Sequence, residues 1–354
     1  KGGIPAPRSG EPKALGEAMV QAGQMALFDI GHNSFELLPR DTKNTQEGGR
    51  EAARAAIKDG AQLLLGPVFA ETVRGARPIA EAANVNMIAF STDWSLAGGN
   101  TFIMGFLPFD QIERVVGYAV GHSVRTMGIL APNTDYGRAV ATGTQTIGRR
   151  FGMELPAITT FPPQSHNLAD ILKSFARYDE SAPPDASAPP PYDAVMMAVG
   201  GNQAITVANL LSNDNLPPSR VRRIGTGLFD DENLAAESNL DGAWFAAPSP
   251  RLRRDFEQRY QQLYSARPPR LSTLAYDATA LAAVLAQRGL QSGNAPTFDK
   301  AAITNPNGFA GIDGIFRFRP DGTVERGLAV LEFKRGTIQV LEDAPQTFQS
   351  YTPY

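Results

Sequence analysis

A polar segment, Ser91-Thr92-Asp93-Trp94, directly follows the apolar run Val85–Phe90. Its hydroxyl groups can donate hydrogen bonds to a small anion, and its indole ring can stack on a ligand. Two interpretations carry equal weight: the hydroxyls bind an anion, or the first three residues only cap a short helix. For Trp94, a position that covers a hinge is favoured over a position against the ligand.

A second segment, Gly66-Pro67-Val68-Phe69-Ala70, lies between the apolar run Ala61–Leu65 and a predicted helix whose first turn holds Glu71. The backbone N–H groups that open a helix have no partner inside it, so they can hold an anion such as a ligand carboxylate. The segment therefore supplies three more candidate ligand contacts, Pro67, Val68 and Phe69.

Three further loops follow apolar runs in the second half of the chain: 135–137, 200–203 and 226–230. If the two halves face each other, these loops form the opposite wall of one cleft. A plainer interpretation is that the glycines permit tight turns and that Asp230 and Asp231 cap the next helix. The candidate ligand contacts here are Tyr136, Asn202, Gln203, Phe229 and Asp230.

Signatures of catalysis and of metal binding are scarce. The sequence has no nucleophile elbow, phosphate-binding loop, zinc-protease motif or dinucleotide fingerprint. It has no cysteine, and its three histidines, His32, His122 and His166, are far apart in sequence. We therefore expect no cofactor, no metal and no catalytic residue. An enzyme with a hidden carboxylate pair is the weakest hypothesis.

Length and composition narrow the class of protein. At 354 residues the chain is long for one domain, and 42% hydrophobic with 19% charged residues is typical of a soluble protein. A net charge of −3 argues against a nucleic-acid partner. No apolar stretch reaches the roughly 20 residues that a membrane helix needs.

Predicted strands and helices alternate along most of the chain, which indicates parallel pairing through helical crossovers. The predicted fold class is α/β, with two doubly wound parallel-sheet lobes joined by a multi-strand hinge. We predict lobe 1 at 1–118 and 248–312, and lobe 2 with the hinge at 119–247 and 313–354. A Pro-rich surface loop is expected at 181–191, and a hairpin is expected from Ile315–Arg319 and Leu328–Phe333.

The order and spacing of several short motifs resemble the type I periplasmic binding proteins, in the branch of branched-chain amino-acid receptors. The resemblance implies two lobes that close on a small ligand, a periplasmic location whose signal segment is absent from this chain, and an ABC permease as partner. The motifs are Pro7–Gly10, Leu37–Thr42, Gly66-Pro67, Ile88–Thr92, Gly105–Asp110 and Asp135–Gly137.

The sequence departs from this family at the positions that the resemblance assigns to the ligand. In amino-acid receptors the loop after the fourth strand holds the ligand carboxylate, and here that loop contains Asp93. In those receptors an aromatic residue and an acidic residue hold the ligand ammonium group. The corresponding positions of this chain carry Gly201 or Asn202 at one place and Gly227 at the other. The family also begins with a central strand, whereas only Gly2–Ala6 precede Pro7, so we expect that strand to be cut short or altered.

The distal part of the chain resembles a sub-branch, the lipoprotein activators of penicillin-binding proteins. This resemblance implies the alternative function, a regulator that binds a penicillin-binding protein and controls peptidoglycan synthesis. It would reach the membrane only through a lipid anchor upstream of this chain. The motifs are Gly225–Asp231, Asp241–Pro248, Leu274–Asp277 and Gly314–Gly322.

Overall fold

A computed structural model describes the backbone of residues 2–6 and all of residues 13–31, 35–164, 166–182, 185, 187–295 and 297–348. The chain forms two compact units and passes between them four times. Segment 108–118 and Pro248 lie in unit 2, whereas segments 313–327 and 345–348 lie in unit 1, the reverse of the predicted division. Unit 1 holds Lys1–Leu107, Ser249–Gly327 and Pro345–Tyr354, and unit 2 holds Pro108–Pro248 and Leu328–Ala344.

Unit 1 begins with a parallel five-stranded sheet in the order β2-β1-β3-β4-β5. The residues before Pro7 do form a strand, which lies between β2 and β3. The strands are β1 Gly2–Ala6, β2 Leu37–Asp41, β3 Leu63–Leu65, β4 Asn86–Ala89 and β5 Thr101–Ile103. The helices between them are α1 Lys13–Ile30, α2 Gln46–Lys58 and α3 Ala70–Ala82.

Unit 2 repeats the alternation of strand and helix. Apolar side chains form separate cores on the two faces of its sheet, one around Ile129 and Met196 and the other around Leu130 and Met197. The strands are β6 Thr126–Pro132, β7 Glu154–Phe161, β8 Ala194–Met197, β9 Arg222–Gly225 and β10 Trp244–Ala247. The helices are α4 Pro108–Gly121, α5 Asp135–Arg150, α6 Leu168–Ala176, α7 Gly201–Asn213 and α8 Glu232–Ala235.

The last part of the chain adds elements to both units. Unit 1 gains α9 Pro250–Tyr264, α10 Ser272–Gln291, α11 Lys300–Ile303 and an antiparallel sheet of β11 Phe309–Gly311, β12 Gly314–Phe318 and β13 Val324–Arg326. Unit 2 gains β14 Ala329–Lys334 and β15 Thr337–Glu342, which complete the order β15-β14-β10-β9-β8-β6-β7. The prediction of an α/β fold with parallel sheets is confirmed.

The predicted hairpin is wrong in its second strand. Strand β12 pairs with β13, directly after the turn in which Gly322 N–H donates to Arg319 O at 2.9 Å. The more apolar run at 328–333 belongs to β14 and pairs with β10 in unit 2. The error arose because β13 is only three residues long and includes two charged residues, Glu325 and Arg326.

The Pro-rich segment at 181–191 connects α6 to β8. Its described residues lie outside every helix and strand, and most of them are exposed. An exposed stretch that cannot join a sheet because proline lacks an N–H group fits the predicted surface loop.

Arg223 in β9 is fully buried in unit 2, and we expect its loss to be costly. Burial lowers the pKa of its guanidinium to about 10. The group donates hydrogen bonds to the Ser212 hydroxyl and to the carbonyls of Ala208, Leu216, Val221 and Asn239.

Arg223→Met should lower the free energy of unfolding by about 2–5 kcal/mol, because it leaves buried carbonyls without donors. Urea denaturation measures the change, and Arg54→Met on the exposed face of α2 is the control. Equal midpoints for the two variants would contradict the structural role of Arg223.

Candidate functional site

The loops that follow β3 and β4 lie side by side at the carboxyl ends of these adjacent strands. Gly66 N–H donates to Ile88 O at 2.7 Å, and Phe90 N–H donates to Pro67 O at 2.9 Å. These bonds bring two of the predicted ligand-binding segments together. We call this surface of Pro67–Phe69 and Ser91–Trp94 the unit 1 face.

The two hydroxyls of the unit 1 face have different roles. Ser91 is buried, and its Oγ accepts a hydrogen bond from Asp93 N–H at 3.0 Å. Thr92 is exposed. Ser91 therefore fixes the shape of the loop, whereas the Thr92 hydroxyl is open to a solute.

Asp93 caps a short 3-10 helix, Trp94–Leu96, through a hydrogen bond from Ser95 N–H to its Oδ1 at 3.1 Å. Its other oxygen, Oδ2, accepts from the Arg74 guanidinium at 2.8 Å. The capping interpretation is thus confirmed for Asp93. The Arg74 guanidinium opposes the negative charge of Asp93 at the loop.

Helix α3 opens onto the unit 1 face without a side-chain cap. Its N-cap residue, Phe69, is extended and makes no capping hydrogen bond, while Glu71 lies in the first turn. Pro67 and Val68 are buried, and Phe69 and Trp94 are half-buried. The first N–H groups of α3 are thus available to an acceptor other than a side-chain cap.

Gly105, which follows β5, packs directly against the backbone of Ser91 and Thr92 in the unit 1 face. A Cβ atom added at this position would lie 2.2 Å from Ser91 O and 3.0 Å from Thr92 N. Only a residue without a side chain fits at that separation. The backbone of Ser91 and Thr92 is therefore packed directly on the chain that follows β5.

In unit 2 the loops after β6 and β9 meet through Tyr136. Its hydroxyl is 2.7 Å from Thr226 Oγ1. Burial raises the pKa of Tyr136 to about 12, against the opposing effect of the Thr226 hydrogen bond. Gln111 joins helix α4 to the loop after β9, because its Oε1 accepts a hydrogen bond from Gly227 N–H at 2.7 Å.

Asn202 and Gln203 lie in the first turn of α7, after the loop that follows β8. Asn202 is exposed and Gln203 is half-buried. The α7 N-cap, Gly200, contacts the loop after β9, since a Cβ added there would lie 3.0 Å from the Leu228 Cβ. We call the strand-end surface of Tyr136, Gly200–Gln203 and Thr226–Leu228 the unit 2 face.

The structure places one of the two remaining predicted contacts, Phe229, in the core. Phe229 is fully buried, with its ring 5.7 Å from Phe333 and 6.2 Å from Phe245, so it belongs to the core and not to the ligand-facing surface. Asp230 is half-buried at the end of the short 3-10 helix Gly227–Phe229. The helix-capping role falls to Asp231, which accepts from Asn233 N–H at 2.9 Å.

Three residues that contribute to these faces or hydrogen-bond to them were not among the predicted ligand contacts: Arg74, Gln111 and Thr226. Their partners are 19, 116 and 90 residues away in sequence, so no local motif marks them. A polar residue at a predicted strand end was the one available signal, and it applied to Thr226 alone.

Among the described residues, no group of three or more His, Cys, Asp and Glu side chains could hold a metal ion. His122 and His166 are exposed and belong to neither face, and His32 lies outside the described residues. In that same part of the chain, every helix is too short or too polar to cross a lipid bilayer.

Comparison with known proteins gives one family. Residues 2–337 match the periplasmic binding protein family. No curated protein sequence matches the chain.

Solved structures share the fold at low sequence identity. A branched-chain amino acid ABC transporter periplasmic ligand-binding protein from Burkholderia xenovorans is 15% identical, with 99% of this chain and 96% of that chain covered and a TM-score of 0.78. A leucine binding protein from Thermotoga maritima is 18% identical, with 97% of each chain covered and a TM-score of 0.65. An ABC transporter solute binding protein from Rhodopseudomonas palustris, in complex with 3,4-dihydroxybenzoic acid, is 16% identical, with 97% and 96% covered and a TM-score of 0.68.

These findings give no support to the alternative of a penicillin-binding-protein regulator. They agree with the predicted type I fold. The chain belongs to the periplasmic binding protein family, a family of non-enzymatic solute-binding receptors.

Proposed function

We propose that this receptor binds a small carboxylate in the periplasm and delivers it to an ABC permease. The family match over residues 2–337 is the observation that carries the proposal. Branched-chain amino acids, leucine and 3,4-dihydroxybenzoic acid, which are named for its structural relatives, share a carboxylate group.

The unit 1 face has the chemistry to hold that carboxylate. The first N–H groups of α3 have no side-chain cap, and the exposed Thr92 lies in the loop after β4, which hydrogen bonds join to Pro67 and to Arg74 of α3. Helix N-termini favour anions because their N–H groups and the helix dipole both point toward the ligand. Arg74 offsets the charge of Asp93, which would otherwise repel a carboxylate.

The unit 2 face has few means to hold an ammonium group. Asp135 is paired with Arg138, and Asp231 caps α8. Gly201, Asn202 and Gly227 stand where amino-acid receptors carry aromatic and acidic groups. We therefore place carboxylates without an ammonium group ahead of amino acids as solutes, with Tyr136, Asn202 and Gln203 as proposed contacts.

We also propose that the solute leaves unchanged, since the family to which the chain belongs consists of non-enzymatic solute-binding receptors. Proton NMR of a bound solute should show the same spectrum before and after long incubation. The appearance of a product would contradict a receptor without catalytic activity.

Benzoate is a simple carboxylate without an ammonium group. Thr92→Val should weaken its binding by about 10–100-fold, because a hydrogen bond to a charged group contributes about 1.5–3 kcal/mol. The substitution keeps the shape of the side chain and removes only the hydroxyl. Isothermal titration calorimetry with benzoate, 3,4-dihydroxybenzoate and L-leucine measures the change.

Thr160→Val, at an exposed position of the edge strand β7, is the matched control and should bind as the unmodified protein does. If Thr92→Val also binds benzoate with unchanged affinity, the carboxylate does not lie on the unit 1 face.

A further inference from the structure

We propose that Arg74 is a positioning residue for the bound carboxylate: through Asp93 it holds the Ser91–Thr92 loop in place and counters the one acidic charge within that loop. This inference rests on the proposed function. It assigns a role to a residue that lies on α3 and not in any of the predicted ligand-binding segments.

Arg74 links α3 to the loop that contains Asp93. Arg74 Nη2 donates to Asp93 Oδ2 at 2.8 Å, which joins the second turn of α3 to the loop after β4. The other terminal nitrogen of the guanidinium, Nη1, pairs with Glu71 in the first turn of the same helix. One side chain thus connects helix α3 to the loop after β4.

Hydrogen bonds within the loop also hold Asp93 in place. Its backbone N–H donates to Ser91 Oγ at 3.0 Å, and its Oδ1 accepts from Ser95 N–H at 3.1 Å. Asp93 is therefore fixed from three sides: by the Ser91 hydroxyl, by Ser95 and by Arg74. A change in the position of its side chain would be transmitted to Ser91 and to the adjacent Thr92.

Arg74 also counters the negative charge of Asp93. The Asp93 side chain is 30% exposed, next to the residue whose hydroxyl is proposed to bind the solute. A solute carboxylate at Thr92 would meet a like charge if the Arg74 guanidinium were absent. Glu71 is 64% exposed and so more strongly screened by water, which makes it the weaker of the two acidic influences.

The Arg74–Asp93 ion pair should affect solute binding more than the stability of the fold. An ion pair this exposed contributes little to folding, because solvent screens it and ordering two long side chains opposes it. Substitution of Arg74 should therefore leave the protein folded. A large loss of affinity would report on the site and not on the fold.

The experiment titrates benzoate into Arg74→Gln, Asp93→Asn, the double variant and Glu71→Gln. We expect Arg74→Gln to weaken binding by about tenfold. Asp93→Asn keeps the capping oxygen without the charge, so it should bind at least as tightly as the unmodified protein. The double variant should recover to within about threefold of the unmodified protein, and Glu71→Gln should change affinity less than about twofold. The defect of Arg74→Gln should shrink between about 50 mM and about 500 mM NaCl.

Several outcomes overturn the inference. If Arg74→Gln binds like the unmodified protein while Thr92→Val is weakened, Arg74 has no positioning role and the proposed function stands. If the double variant is as weak as Arg74→Gln, the charge of Asp93 does not cause the loss of affinity. If the unmodified protein binds no carboxylate, the proposed function fails and the inference fails with it.

Discussion

Gly105→Ala should abolish benzoate binding and lower the free energy of unfolding by about 1–3 kcal/mol, the usual cost of one excess methyl group in a packed interior. The new Cβ would lie 2.2 Å from Ser91 O and 2.7 Å from Ser91 C. Both are backbone atoms, so a rotamer change cannot relieve the overlap. The loop must move as a whole, and the Thr92 hydroxyl moves with it.

Calorimetry with benzoate and urea denaturation together measure the two effects. Gly121→Ala is a suitable control, because a Cβ added at that helix terminus meets nothing within 4 Å. Unchanged affinity in folded Gly105→Ala protein would show that the Ser91–Thr92 loop is not part of the binding site.

The second large effect is a pH dependence of stability that originates in a buried pair of carboxyl groups in unit 1. Asp277 in α10 accepts from Ile312 N–H at 2.7 Å. Asp313 accepts from the Thr273 hydroxyl at 2.6 Å and from Arg270 at 2.8 Å. Neither carboxyl side chain has appreciable contact with solvent.

The two carboxyl groups differ in how their surroundings act on them. Burial, and after it the charge of Asp313, raises the pKa of Asp277 to about 7. Burial also acts to raise the pKa of Asp313, but Arg270 and Arg326 outweigh it and hold that pKa below its ordinary value. Asp277 is therefore the member of the pair that carries a proton near neutral pH.

Proton binding by Asp277 determines whether stability rises or falls with pH. Between pH 4 and 7, approximately, folded Asp277 keeps a proton that the unfolded chain has lost. The contribution of this group to stability is therefore fully present below the unfolded pKa and is lost as the pH rises through 7. We expect a loss of about 2–4 kcal/mol across this window from this group.

Asp277→Asn should flatten that dependence, since the amide does not titrate. Urea denaturation at a series of pH values measures the slope, and Asp255→Asn on the exposed side of α9 is the control. A slope that persists in Asp277→Asn would assign the titration to another group.

The sequence predicted the strands and helices well where a short apolar run alternated with an amphipathic stretch. Strand β3, for example, lies within the predicted Ala61–Leu65, and α5 begins one residue before the predicted Tyr136. Such patterns depend on local periodicity, which is visible in one sequence. The partner of β12 was not predictable in that way, because pairing depends on where the chain leaves unit 1.

The sequence was enough to predict which loops lie at the strand ends, but not in which direction the side chains of those loops point. Ser91–Trp94 and Tyr136 do lie at strand ends, as the α/β pattern requires. Phe229 also lies in such a loop, yet its ring packs on Phe245 and Phe333, which are distant in sequence. The direction of a loop side chain is set by tertiary packing, and so are the contacts of Arg74 and Gln111.

A crystal structure of the protein with benzoate would show directly whether the carboxylate binds between Thr92 and the start of α3. We expect one carboxylate oxygen about 2.7 Å from Thr92 Oγ1 and the other about 2.9 Å from a backbone N–H of the first turn of α3. Benzoate bound elsewhere, with the Thr92 hydroxyl and the start of α3 in contact with water alone, would contradict this binding mode.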